Sequence, residues 1–176
     1  FSLVVNPSNT PCAAFRDVGN SNKTTIRKFD GTNWAAVGSG VSDAIGEYVS
    51  LAFDSNDRPY VAFKDSGQSH KGSVMMFDGT NWVVVGNKGF AGILTATFMS
   101  LDFDSSDTPY VAFTNYDGQS NKTTVMKFDP ITDGGIWVDV GTSLLGDGST
   151  NYSSLKIGSN DIPYVAFNDS SVSNKA

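Results

Sequence analysis

The chain has 176 residues, enough for one domain with a sizeable core, and its 39% hydrophobic and 17% charged content is filled out by Gly, Ser, Thr, Asn and Asp. That mixture suits short strands joined by tight turns and disfavours long helices. A net charge of −6 argues against a nucleic-acid partner, and no apolar run reaches the ~20 residues that cross a bilayer, so no membrane insertion is expected.

The run from Phe1 to Val5 reads as a strand that opens with neither an initiating Met nor a signal peptide, as expected of a processed or excised chain. Leu3, following Ser2, stands eight residues ahead of Pro11, which opens Pro-Cys-Ala-Ala-Phe (11–15). Phe29-Asp30, Trp34 and Gly38 follow. The same order returns with Ser50-Leu51, Pro-Tyr-Val-Ala-Phe (59–63), Phe77-Asp78, Trp82 and Gly86. It returns again with Ser100-Leu101, Pro-Tyr-Val-Ala-Phe (109–113), Phe128-Asp129, Trp137 and Gly141. Ser154-Leu155 and Pro-Tyr-Val-Ala-Phe (163–167) begin a fourth copy. The period of about 50 residues lies in the range of propeller repeats.

Each period carries four strand signals. Ser-Leu-Ala-Phe-Asp (50–54) alternates apolar and polar; a turn rich in Asp, Asn and Ser then ends at Pro59, whose fixed φ suits the start of a strand. Pro-Tyr-Val-Ala-Phe is nearly all apolar, as expected of a strand buried on both faces, with Phe15, Phe63, Phe113 and Phe167 as core residues of the repeat. Val74 to Phe77 and Trp82 to Val85 form the third and fourth strands, and Asp78-Gly79 between them is a strong hairpin signal. Trp34, Trp82 and Trp137 are expected to bury their rings against a neighbouring blade, and the Gly that closes each unit lets the chain turn toward the next. The fold class is therefore all-β: a single partial β-propeller domain over residues 1–176, built of four-stranded antiparallel blades. Blade 1 spans about 1–48, blade 2 about 49–98 and blade 3 about 99–152, with a half-blade at 153–176.

The hairpin Phe128-Asp129-Pro130-Ile131-Thr132-Asp133, running on to Trp137, resembles the aromatic-Asp-Pro-x-Thr pattern of kelch-type repeats. The shorter Phe-Asp-Gly-Thr-Asn-Trp copies (29–34 and 77–82) are similar to the Asp-box hairpin of sialidase-like propellers. The resemblance covers about ten residues of each repeat and implies the blade architecture.

Three and a half blades do not close a ring, since closed propellers typically have 4–8. The expected partners are therefore the remaining blades of a longer chain or other copies of this one. The isolated chain, with apolar sheet and unpaired strand edge exposed, is expected to aggregate.

The most repeated polar segment follows the second strand. It reads Asp17-Val-Gly-Asn-Ser-Asn-Lys23, then Asp65-Ser-Gly-Gln-Ser-His-Lys71, then Asp117-Gly-Gln-Ser-Asn-Lys122, and the half-repeat carries Asp169 ahead of Ser173 and Lys175. These loops share a face with the connections between blades. Asp17, Lys23, Asp65, Lys71, Asp117, Lys122 and Asp169 are thus candidate ligand-binding residues, able to hydrogen-bond sugar hydroxyls with an avidity that repetition multiplies. The simpler reading has each Asp accepting backbone N–H groups of its own turn and each Lys solvated. Asp54, Asp57, Asp104 and Asp107 are expected to build turns rather than to hold calcium, because the first copy has Asn6 and Asn9 and the fourth has Gly158.

No catalytic constellation is visible. His70 is the sole histidine and is replaced by Asn22 and Asn121 in its neighbours. Cys12, the only cysteine, takes the place of Tyr60, Tyr110 and Tyr164 and reads as a small core residue; no disulfide, metal or cofactor is expected. The glycosylation triplets beginning at Asn22, Asn121, Asn151 and Asn168 favour an extracellular or cell-surface location. The function expected is a non-enzymatic binding or adhesion module for a glycan or surface protein. The alternatives are a structural scaffold domain of a larger assembly and a fragment of a glycan-active hydrolase propeller.

Overall fold

A computed structural model describes residues 1–90, 95–116, 121–131, 134–142 and 144–172. The first sheet holds β1 (Ser2–Val5), β2 (Pro11–Asp17), β3 (Lys23–Phe29) and β4 (Trp34–Ala36). The second holds β5 (Gly46–Phe53), β6 (Pro59–Asp65), β7 (Lys71–Phe77) and β8 (Trp82–Val84). The third holds β9 (Thr95–Phe103), β10 (Pro109–Tyr116), β11 (Asn121–Asp129) and β12 (Ile136–Asp139). A two-stranded sheet of β13 (Thr150–Ile157) and β14 (Pro163–Asp169) closes the series. Strands within each sheet pair antiparallel in chain order, so each sheet is an up-and-down blade. No described helix is long and apolar enough to cross a membrane.

The core is three layers, one in each gap between blades. In β6, Val61 and Phe63 face the first blade while Tyr60 and Ala62 face the third. In β10, Val111 and Phe113 face the second blade while Tyr110 and Ala112 face the half-blade. A strand pressed between two layers must be apolar at every position, which accounts for Pro-Tyr-Val-Ala-Phe. The outermost copies depart from that expectation because each has one neighbour only. In β2, Cys12 and Ala14 are buried while Phe15 is half-exposed, and in β14, Phe167 is half-exposed and Tyr164 open.

The tryptophans divide likewise. Trp82 Nε1 donates to the Val37 carbonyl of the blade before it at 2.8 Å, and Trp137 Nε1 to the Val85 carbonyl at 2.9 Å. Trp34, expected in the same role, is 41% exposed, because no blade lies before it in this chain. The glycine ending each unit leaves room beneath the next blade's hairpin. A Cβ on Gly38, whose φ is +62°, would meet Phe77 Cε2 at 2.6 Å, whereas one on Gly141 would meet nothing, since the half-blade has no such hairpin.

Successive blades are also latched along their first strands, which lie side by side. The backbone N–H groups of Leu51, Leu101 and Leu155 donate to the hydroxyls of Ser2, Ser50 and Ser100 in the blade before, at 3.1, 3.0 and 2.9 Å. At the turn after each first strand, Asp107 accepts from the backbone N–H and hydroxyl of Ser55 at 2.8 and 2.6 Å. Asp161 accepts the same pair from Ser105, both at 2.8 Å. Those hydrogen bonds hold both carboxyls below the ordinary range. The leading acids close their own turns instead: Asp54 accepts from Asn56 and Arg58, and Asp104 from Ser106 and Thr108.

Candidate ligand-binding face

The loops after the second strands and the starts of the first strands lie at one end of the blades. Each loop is built by the Asp that opens it. Asp17 and Asp65 each accept a backbone N–H two residues on, from Gly19 and Gly67, both at 3.0 Å, capping a single 3-10 turn. The chain then passes through two left-handed residues, Ser21-Asn22 and Ser69-His70. The carbonyl of the second accepts from the next blade: Asn22 from Gly46 N–H at 3.2 Å and His70 from Ala96 N–H at 3.0 Å. Histidine thus occupies position 70 as a turn residue whose backbone anchors the following strand.

Asp17, Asp65, Asp169 and Lys122 among the candidates are engaged in hydrogen bonds within these loops. Asp65 also accepts from the Ser73 hydroxyl and is buried. Asp169 accepts from the backbone N–H groups of Ser171, Asp147 and Gly148, with Ser171 contributing most to holding its carboxyl below the ordinary range. Lys122 Nζ is spread over the carbonyls of Gly146, Asp147 and Gly148 at 2.8, 3.0 and 2.8 Å. Lys23 and Lys71 stand half-exposed on this face. Strand register pairs Asp17 with Lys23, Asp65 with Lys71 and Asn115 with Lys122, so Asn115 is the counterpart of the two acids. Asp117, which the sequence alone aligns with them, lies outside the described residues, as do Ser173 and Lys175.

What sequence reading missed on this face is aromatic. Near the start of β5, β9 and β13 one extra residue is inserted opposite the second strand, with register shifts at 47/50, at 112/114 on the β10 side, and at 151/154. The first residue of each bulge is left-handed: Tyr48 at φ 52°, Phe98 at 52° and Tyr152 at 56°. This conformation usually falls to glycine, and a bulky side chain there is strained. The three rings run along the rim as a row. Tyr48 and Phe98 meet edge-on at 5.0 Å between centroids, and Phe98 and Tyr152 meet at a tilt of 49° and 4.5 Å. Tyr152 is 70% exposed. Lys64 Nζ lies 5.2 Å from the Tyr48 ring centre and 2.8 Å from Glu47, which Arg16 also engages. The Lys64 hydrogen bond holds the Glu47 carboxyl below its ordinary range. The signal was present: each ring stands two residues ahead of a Ser-Leu pair.

No family model matches the chain, and no curated protein does. Among solved structures it is similar to a fucose lectin from Kordia zhangzhouensis in complex with methyl-fucoside, with a TM-score of 0.50 and 14% identity over 81% of this chain and 98% of the lectin chain. It is also similar to a thermostable family-43 glycoside hydrolase, with a TM-score of 0.55 and 9% identity over 94% of this chain. The match spans 64% of the hydrolase chain, less than two thirds of it. At such identities the likeness is one of fold, and the fold is the β-propeller.

Proposed function

We propose that the chain is a carbohydrate-binding propeller module of the extracellular space, meeting its glycan on the face that carries the aromatic row. The observation that carries this reading is the row itself: three rings held at strained left-handed positions, two of them well exposed. Strain of this kind costs of order 1–3 kcal/mol per residue and is commonly kept where function needs the side chain. A flat ring offers its face to the C–H groups of a sugar, while Lys23, Lys71 and the loops opened by Asp17, Asp65 and Asp169 supply polar contacts around it. Repetition over successive blades gives adjacent subsites, suited to multivalent binding. The similarity of fold to a lectin and to a glycoside hydrolase supports a glycan as the ligand class. Further blades, from a longer chain or from other copies, complete the ring.

The test separates a binding role from a packing role. Tyr152→Gly relieves the left-handed strain, so stability is expected to stay within about 1 kcal/mol of the parent in urea unfolding. Binding on a glycan array is expected to fall at least tenfold. Unchanged glycan binding, or no binding by the parent chain, would refute the proposal.

A further inference from the structure

Between the first and second blades lies a cavity of about 260 Å³ whose lining includes Cys12, Ile26, Phe53, Phe77, Asn6 and Asp57. Two changes from the repeat meet here. The first is the loss of a ring. Cys12 occupies the register position of Tyr60 and Tyr110, pairing with β1 and β3 as they pair with their own neighbours. At the next interface the Tyr60 ring packs edge-on against Phe103 of the following blade, 4.9 Å between centroids. Phe53 is the counterpart of Phe103, and the phenol that would cover it is absent. The crevice at that next interface, of similar size at about 240 Å³, is lined by Tyr60 itself, together with Val85, Asp107 and Phe128.

The second change is the loss of two donors. Asp107 and Asp161 have both carboxylate oxygens engaged by a serine of the preceding blade. Pro7 stands where that serine would be, with neither an N–H nor a hydroxyl to give. The Asn6 side-chain amide donates to Asp57 Oδ2 at 3.0 Å, while Asp57 Oδ1 is buried without a hydrogen-bond partner. An orphaned buried acceptor of this kind is costly and rare.

We infer that this cavity is a binding site for a hydroxylated six-membered ring, which lies against Phe53 where the other copies carry a tyrosine and, on a turn of the Asp57 carboxylate, donates its hydroxyl to Asp57 Oδ1. A phenol and a monosaccharide share that chemistry, and Lys28 at the rim offers a further donor to either. The site is formed wholly within this chain and does not depend on the aromatic row. Cys12 is 1% exposed, and burial pushes its thiol pKa up, so its own reactivity is low and serves as a reporter.

The test titrates the whole chain with p-cresol in one arm and with a panel of methyl glycosides in the other, by ligand-observed NMR and by the alkylation rate of Cys12. One class is expected to bind, to slow alkylation at least fivefold at saturation, and to lose at least tenfold in affinity for Cys12→Tyr. The arm that responds identifies the source of the ring. If neither class slows alkylation, or if the responding ligand binds Cys12→Tyr as well as the parent, the inference fails. Should Cys12→Tyr not fold, protection of Cys12 in the parent chain decides alone. A sugar that loses affinity for Tyr152→Gly but keeps it for Cys12→Tyr belongs to the aromatic face, so the two proposals stand or fall separately.

Discussion

At Gly46 the first two blades touch so closely that a Cβ would collide with the Thr24 hydroxyl. The equivalent positions at the next interface carry Gly72 and Ala96, and at the third Thr123 and Thr150, whose hydroxyls hydrogen-bond at 2.9 Å. Each interface therefore solves the same fit with a different pair of small side chains. Gly46→Ala is expected to destabilise by about 1–3 kcal/mol through overpacking. Adding Thr24→Gly, which recreates the pair of the second interface, should restore stability to within about 1 kcal/mol of the parent, since Thr24 Oγ1 is buried without a hydrogen-bond partner. Urea midpoints of the two single variants and the double variant measure the coupling. Such pairs were not readable in the sequence, because the partners lie 22 or more positions apart and neither residue looks unusual alone. The burial of Cys12 was readable, because it replaces a tyrosine inside a strand whose copies are apolar throughout.

At the scale of elements, the tryptophans of the fourth strands show what each blade contributes to the one before it. Trp82→Phe keeps most of the ring but strands the Val37 carbonyl, and is expected to cost about 1–3 kcal/mol. Trp34→Phe, with its ring 41% exposed, should change stability by less than about 0.5 kcal/mol. Equal losses in thermal unfolding would contradict the assignment of these rings to the gaps between blades. Four strands per repeat, their order and their hairpins could all be read from alternation, proline and Asp-Gly turns. The bulges could not. An aromatic residue inside an alternating strand looks like one more inward-facing position, and only cross-strand register shows Tyr48, Phe98 and Tyr152 turned out of the ladder. The loop acids are legible in the sequence as a repeated feature, and Asp17, Asp65 and Asp169 each accept backbone N–H groups of their own turn.

Over the whole molecule, the two outer faces stand out by comparison with the buried copies. Leu3 is 65% exposed where Leu51, Leu101 and Leu155 are 3%, 5% and 2% exposed. Tyr164 is 59% exposed where Tyr60 and Tyr110 are each 7% exposed. Burying such surface drives association, so the isolated chain is expected to sediment above its monomer mass. Leu3→Glu, which places a charge in the first of these faces, should return most of it to monomer. Equal masses for parent and variant would show that this face takes no part.

The serine–aspartate and serine–leucine latches give the stack a direction. From Ser55 to Asp107 and from Ser105 to Asp161, the turn donor always sits on the earlier blade and the acceptor on the later one. Between first strands the sense is reversed, the later blade giving its leucine N–H to the earlier blade's serine. A surface that gives at one end what it takes at the other cannot pair with its own mirror in a two-fold dimer through these contacts. Contacts of this kind would add units in one sense only, and the rotation from each unit to the next would decide whether growth ends in a ring or continues as a fibre.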